Sequence, residues 1–182
     1  MNRLTIPTLE QSPAASRPLL EAVNKQLGVV PNLFRLVGSS APALEGYLGL
    51  SKALGKSSIG PATGERIALA IAEVNQCGYC LSAHTYLGRN LAKLDDAEID
   101  ANRRGGSGNA KADAAVRFAV QVARARGHVA DADVQAVKAA GFGEAEIIEI
   151  VLHVALNTWT NYINEVARTT VDFPVAQPLQ AA

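Results

Sequence analysis

Apolar residues return at intervals of three and four along most of this chain, the period of an α-helix with one face turned inward. The stretch opened by Pro61 places Ile67, Ala70, Ile71 and Val74 at that spacing, and Asn75-Gln76-Cys77-Gly78 breaks it. A new helix is predicted from about Cys77 to Leu91. Ahead of these, Ser16 to Leu27 forms a short helix ended by Gly28. Pro31 to Val37 forms a second, with the proline suited to its first turn, and Ala41 to Leu54 a third, closed by Gly55. Further on, Asp95-Asp96-Ala97-Glu98 reads as a capping box for a helix over 95–103, and Gly105-Gly106-Ser107-Gly108 as a flexible turn. Helices follow at about 110–126 and 131–140, the latter with Asp131 as N-cap. The last helix runs from about Glu144 to Arg168. Its apolar residues, among them Ile147, Ile148, Ile150, Val151, Val154, Trp159, Tyr162, Ile163 and Val166, cover more than one stripe. That predicts burial on several sides, part of it by a second subunit. Nothing reads as a strand. The pattern predicts an all-α, single-domain helical bundle over 1–182, with an N-terminal arm at 1–15 and an irregular tail at 174–182.

Composition narrows the function. The chain is 48% hydrophobic but only 5% aromatic, so small aliphatic side chains carry the core, as in bundles with close helix contacts. Seventeen basic and seventeen acidic residues cancel, which removes any bulk electrostatic case for nucleic acid or an anionic membrane. The first residues lack the apolar segment of a secretory signal, and no apolar run approaches the roughly eighteen residues of a membrane span. A cytoplasmic location is expected, where resting thiols are reduced and a disulfide is transient and functional rather than structural.

The chain has two cysteines, and they fall three apart, in Cys77-Gly78-Tyr79-Cys80. Thiols at that spacing can close a disulfide within one helical turn. The break before Gly78 puts Cys77 at a helix N-terminus and Cys80 in its first turn, where unpaired backbone N–H groups favour both thiolates and do not choose between them. His84 lies one helical turn beyond Cys80, so imidazole and thiol share a face and can exchange a proton. Glu65 is a carboxylate able to orient that imidazole or take its proton, and Glu73, one turn before Cys77, is a rival for that task. Nucleophile, second thiol, acid–base group and orienting acid are what peroxide reduction through a sulfenic acid requires.

The pattern Glu65-x11-Cys77-x2-Cys80-x3-His84 resembles the signature of the alkylhydroperoxidase D branch of the carboxymuconolactone decarboxylase superfamily. Gly28-Val29-Val30-Pro31-Asn32-Leu33-Phe34 with Pro42, and Asn157-x3-Asn161-x2-Asn164 followed by Asp172-Phe173-Pro174, are similar to its peroxidase-related members. The resemblance spans about residues 27–174. It implies an all-helical fold, a homo-oligomer (a trimer or hexamer), Cys80 as the peroxide-attacking cysteine, Cys77 as the resolving one, and His84 with Glu65 as the proton relay. It also implies that the three asparagines help to shape the site or an interface. The chain departs from the best-studied branch in having Gly78-Tyr79, without histidine, between the cysteines. The decarboxylase branch lacks the cysteine pair, so lactone chemistry is disfavoured. The reading is a thiol-dependent peroxidase acting on hydrogen peroxide or an organic hydroperoxide through a Cys77–Cys80 disulfide cycle. No haem, flavin or metal is implied, and an external thiol or protein reductant must reopen the disulfide.

Plainer readings compete. Cys77 and Cys80 are also suited to being small buried apolar side chains. With His84 they supply three zinc-compatible ligands, one short of a structural site. The alternative function is therefore a non-enzymatic redox-responsive or metal-binding interaction protein. Tyr79 is a pocket wall or a core aromatic. His128 reads as a solvated helix-end residue, His153 as a satisfied core histidine, Trp159 as core or interface, and Arg103-Arg104 as a solvated helix end.

Overall fold

The computed structural model describes residues 2–179; Met1 and the end of the predicted tail, 180–182, lie outside the described residues. Its helices are α1 (Arg17–Leu27), α2 (Asn32–Val37), α3 (Ala41–Leu54), α4 (Pro61–Val74), α5 (Gly78–Asn90), α6 (Asp96–Arg103), α7 (Ala110–Arg124), α8 (Asp131–Ala139) and α9 (Glu144–Ala167). No strand occurs among the described residues, so the all-α expectation holds, with boundaries within two residues of those read from the pattern. No helix of the described chain is long and apolar enough to cross a membrane.

The centre of the fold is α4, which packs against α5, α6, α7 and α9. Its run Ile67-Ala68-Leu69-Ala70-Ile71-Ala72 is buried on every side. The alanines let neighbouring helices approach closely, and each large aliphatic is worth about 1.5–3 kcal/mol on burial. One face of α4 meets Phe118, Val137, Phe142, Ile150 and Val154 from α7, α8, α9 and the loop ahead of α9. Ala72, near its other end, joins a second cluster with Leu20, Leu33, Leu44, Tyr79 and both cysteines.

The sequence predicts that α9 is the helix covered on several sides, and here the single chain differs. Isoleucine and valine at 150 and 154 are buried, whereas Ile148 (68% exposed), Leu152, Trp159, Tyr162 (59%) and Val166 (58%) face outward. With the exposed Ala155, they recur at alternating intervals of four and three, a straight apolar seam on the outer face of α9.

Three local predictions are corrected. The N-cap of α8 is Ala130, and Asp131 is the first helical residue. Alanine has no side-chain acceptor, so the Asp133 carboxylate reaches back to the Ala130 N–H instead. At α6 only half of the capping box forms: Asp95 accepts the Glu98 N–H, but the Glu98 carboxylate turns away to Arg66, Asn102, Ser107 and the Gly108 N–H. Those donors outweigh its partial burial and hold its carboxyl down to about 2. Arg103 is buried rather than solvated. It donates to Glu73 of α4 and to the Gln177 carbonyl, and so ties α6 and the tail to the central helix.

Both ends of the described chain are docked. The Arg3 N–H bonds the Ala167 carbonyl and the Asn2 side chain accepts from Thr170, which fastens the arm to the end of α9. Asp172 accepts from the Asn32 N–H at 2.7 Å and from the Tyr79 hydroxyl at 2.8 Å. The same hydroxyl accepts the Leu33 N–H at 3.1 Å. Tyr79 is therefore a core aromatic, edge-on to Phe173, whose one polar atom joins α2, α5 and the tail. Tyr79→Phe leaves the buried Leu33 N–H without its partner and removes one of the two hydrogen bonds to the exposed Asp172 carboxylate, so it should cost about 1–3 kcal/mol. Denaturant unfolding checks this; a loss under about 0.5 kcal/mol contradicts the latch.

Candidate active site

The site is built on the hairpin of α4 and α5. Gln76 adopts a left-handed backbone (φ 54°), and the Cys77 N–H bonds the Ala72 carbonyl at 2.9 Å, so the chain reverses within three residues. Asn75 donates to Asn161 of α9 at 2.9 Å and pins that reversal from the side. The spacing follows from helix rise: Glu65 lies about 13 Å back from the end of α4 and His84 about 9 Å into α5. On antiparallel helices those positions face one another within reach of a glutamate side chain.

They meet. His84 Nδ1 lies 2.8 Å from Glu65 Oε2, with both side chains about one-fifth exposed. Glu73, the rival acid, is 2.8 Å from Arg103 Nε and is committed to that ion pair. Burial works against the charged form of His84, but the charge of Glu65 and its hydrogen bond outweigh burial and raise the imidazole pKa. The ring nitrogen that Glu65 leaves free is Nε2, and the charge of Cys80 adds to the stabilisation of the imidazolium.

Cys77 is the N-cap of α5, and its Sγ accepts the Cys80 N–H at 3.4 Å. The two cysteines approach to 3.1 Å. Both thiols are free, and both are buried, Cys77 at 0% and Cys80 at 3% exposure. The helix-terminus argument favours the two alike; the full surroundings do not. The Cys77 thiol donates to Cys80 sulfur, and this outweighs burial, with further help from the charge of His84 and the amides of Asn161 and Asn164. The Cys80 thiol is lowered to about 6. Cys77 moves the other way, raised because it is the donor in that contact and because it is buried. The two shifts are opposite in direction, so ionisation of the pair favours Cys80 over Cys77.

The asparagines of α9 supply what a buried thiolate needs. Asn164 Nδ2 donates to Cys80 Sγ at 3.3 Å, and Asn157, Asn161 and Asn164 are all buried. An unpaired charge in an apolar cluster is costly, and amide donors offset that cost without adding a titrating group. Asn157 has a different partner, since its Nδ2 donates to the His153 carbonyl, and the sequence signal for the other two is a pair of asparagines three apart among apolar residues of α9. Tyr47 carries no such signal. It packs between Phe34 and Trp159, with ring centroids 5.3 and 5.6 Å away, against the cysteine cluster. Its phenol is pushed well above its ordinary value by burial and then by the charge of Cys80. His128 is exposed, as expected. His153 departs from expectation: its Nε2 is buried without a partner. No group of three histidine, cysteine, aspartate or glutamate residues among the described residues is arranged to hold a metal ion.

Comparison with known proteins gives the same picture at two scales. Residues 41–125, which include Glu65, Cys77, Cys80 and His84, match the model of the carboxymuconolactone decarboxylase family. Whole-chain similarity extends to solved structures. An uncharacterized peroxidase-related protein with an alkylhydroperoxidase AhpD core from Ralstonia eutropha JMP134 is 23% identical, with a TM-score of 0.84 over 94% of this chain and 92% of that one. A peroxidase-related protein from Silicibacter sp. TM1040 is also 23% identical, with a TM-score of 0.81 over 93% and 91%. The debrominase Bmp8, in complex with 2,3,4-tribromopyrrole, is 20% identical, with a TM-score of 0.77 over 94% and 93%. At these identities the structures establish the fold. Among curated proteins nothing matches.

The asymmetry of the thiols is measurable by ultraviolet thiolate absorbance. Below its pKa Cys80 is protonated; above it the thiolate forms, so reduced protein should gain one thiolate with a midpoint of about 6. Cys80→Ser should abolish that step and Asn164→Ala should move it upward. A low step that survives Cys80→Ser and vanishes in Cys77→Ser would reverse the assignment.

Proposed function

With the carboxymuconolactone decarboxylase family domain over residues 41–125 and its alkylhydroperoxidase D-like fold as premise, we propose that this chain is a thiol-dependent peroxidase. Its substrate is hydrogen peroxide or an organic hydroperoxide, and its working part is the Cys77–Cys80 pair. The observation that carries the reading is the adjacency of the two buried cysteines, 3.1 Å apart, one helical turn from an imidazole whose Nδ1 lies 2.8 Å from Glu65.

Cys80 thiolate attacks the terminal peroxide oxygen and the O–O bond breaks. The leaving alkoxide or hydroxide takes a proton from His84 and departs as alcohol or water, and Cys80 becomes a sulfenic acid. That step removes the negative charge beside Cys77, and with it one of the causes that hold the Cys77 thiol protonated. His84, now neutral, can accept the Cys77 proton while Glu65 keeps its orientation. Cys77 sulfur attacks Cys80 sulfur, hydroxide leaves as water with that proton, and a disulfide remains. Two electrons from an external thiol or protein dithiol reopen it. Its cost is low because the sulfurs lie on one turn and are already adjacent.

Cys80→Ser should abolish peroxide consumption, and Cys77→Ser should permit one attack and leave a trappable sulfenic acid on Cys80. His84→Ala and Glu65→Gln should slow turnover, roughly 10²–10⁴-fold for the loss of acid–base help, with His84 the larger. Steady-state rates within about twofold of wild type for both would remove the relay from the mechanism.

The outer seam of α9, Ile148, Leu152, Ala155, Trp159, Tyr162 and Val166, fits a homo-oligomer. Alternating four and three spacing is the pattern of helices packed along one another, and a seam of this length exceeds the scattered apolar exposure ordinary on a monomer. Trp159→Glu should dissociate the assembly, with light scattering falling to the mass of one chain. A wild-type protein already at that mass at micromolar concentration would refute it.

A further inference from the structure

Asn164 lies in the interior of α9, where asparagine is a poor helix former, and it is 2% exposed. Half of its amide is used: Nδ2 donates to Cys80 Sγ at 3.3 Å. Oδ1 is shut from solvent, and no group of the described residues bonds it. Asn161, one turn earlier, is the reverse. Its Oδ1 accepts from Asn75 at 2.9 Å, and its Nδ2 is the atom without a partner. Holding a thiolate calls for donors alone, and a buried acceptor left unpaired is destabilising. The acceptor beside Cys80 therefore suits a state of the sulfur that carries a donor. A thiolate carries none, and a thiol offers only a weak S–H. The sulfenic acid offers a hydroxyl. Oδ1 and Nδ2 are bonded to one carbon, and an oxygen on Sγ is one bond from the atom that Nδ2 already touches. A hydroxyl on Cys80 is thus within reach of Oδ1.

We propose that Asn164 also binds the oxidised site: its Oδ1 accepts the hydrogen bond of the Cys80 sulfenic hydroxyl, keeps that hydroxyl protonated, and so protects Cys80 from a second peroxide. The idea rests on the peroxidase reading above. Over-oxidation runs through the ionised sulfenate. Its sulfur attacks the terminal oxygen of another hydroperoxide and the O–O bond breaks. The alkoxide or hydroxide leaves, takes up the peroxide proton, and departs as alcohol or water. Cys80 is left with two oxygens as a sulfinate, which ordinary thiols do not reduce. A hydrogen bond accepted from the neutral S–OH disfavours its ionisation. The nucleophile of that side reaction is suppressed, while the neutral sulfenic acid remains the electrophile that Cys77 attacks. Asn164 thereby serves both halves of the cycle, its nitrogen the thiolate and its oxygen the sulfenic acid.

Cys77→Ser retains an N-cap for α5 and lets the oxygens gained by Cys80 be counted by intact mass under excess hydrogen peroxide at neutral pH. In that parent, Asn164→Leu removes donor and acceptor together, whereas Asn164→Asp loses the donor and retains an acceptor oxygen. Both should slow the first oxygen, because both withdraw a donor from the thiolate. The second oxygen should separate them. Asn164→Leu should take it about tenfold faster than the parent, the scale of one buried hydrogen bond, and Asn164→Asp should not. Asn164→Ala should follow Asn164→Leu, and it replaces leucine if that variant does not fold. A role confined to packing or to the thiolate would leave the second step unchanged or slow it with the first. A second step no faster in the leucine and alanine variants than in the parent, or accelerated equally in Asn164→Asp, would overturn the proposal and leave the peroxidase reading standing. A parent whose Cys80 gains no oxygen at all would sink both.

Discussion

The three-residue reversal between α4 and α5 is the constraint on which the site depends. It sets the two helices side by side, so that Glu65 and His84, nineteen positions apart in sequence, lie 2.8 Å apart. It also leaves Cys77 as the N-cap of α5 with Cys80 one turn above it. A longer loop would let one helix slide along the other, and one turn of slip, about 5.4 Å, would separate carboxylate from imidazole. The fold holds this register twice over. The alanine-rich centre of α4 admits α5, α7 and α9 closely, and the Asn75–Asn161 hydrogen bond fastens the turn itself.

Burial then converts register into chemistry. A cysteine pair near a helix terminus in water would differ little in acidity. In an apolar cluster one charge is tolerable and two are not, so the pair divides the labour. The Cys80 thiol is pulled down by the Cys77 thiol beside it, the charge of His84 and the amides of Asn161 and Asn164, and the Cys77 thiol is pushed up by Cys80 and by burial. The same reasoning relates Tyr79 to the site without giving it a chemical task. Tyr79 lies between the cysteines in sequence and packs in the same buried cluster, and its hydroxyl closes on Asp172 and Leu33 and locks the helix that carries Cys80.

Much of this was legible in the chain. Helix ends were marked by proline, glycine and acidic caps, and the four candidate site residues by their spacing. The asparagine series on α9 was visible as polar residues on an apolar helix. What could not be read was which side of a helix meets what. Glu65 and Glu73 were both candidates in the sequence, and two things separate them: the α4–α5 hairpin sets Glu65 opposite His84, and Arg103 of α6 takes Glu73. Asp131 and Asp133 compete for one helix end, and the outcome depends on a side chain reaching back rather than forward. The apolar excess of α9 marked a helix with more than one apolar face, and within one chain only part of it is covered, with Ile150 and Val154 inside and Ile148, Tyr162 and Val166 outside. The His153–Gly64 contact joins residues far apart in the chain, and nothing in the sequence pairs them.

The central claim is that two adjacent buried thiols form one redox unit driven by peroxide. Intact-mass analysis of the fully reduced protein, before and after one equivalent of peroxide, tests it most directly. The account predicts the loss of two hydrogens within one chain, the disappearance of both free thiols, and full recovery on reduction. Two thiols that persist, a stable added oxygen in the wild-type protein, or disulfides only between chains would contradict it.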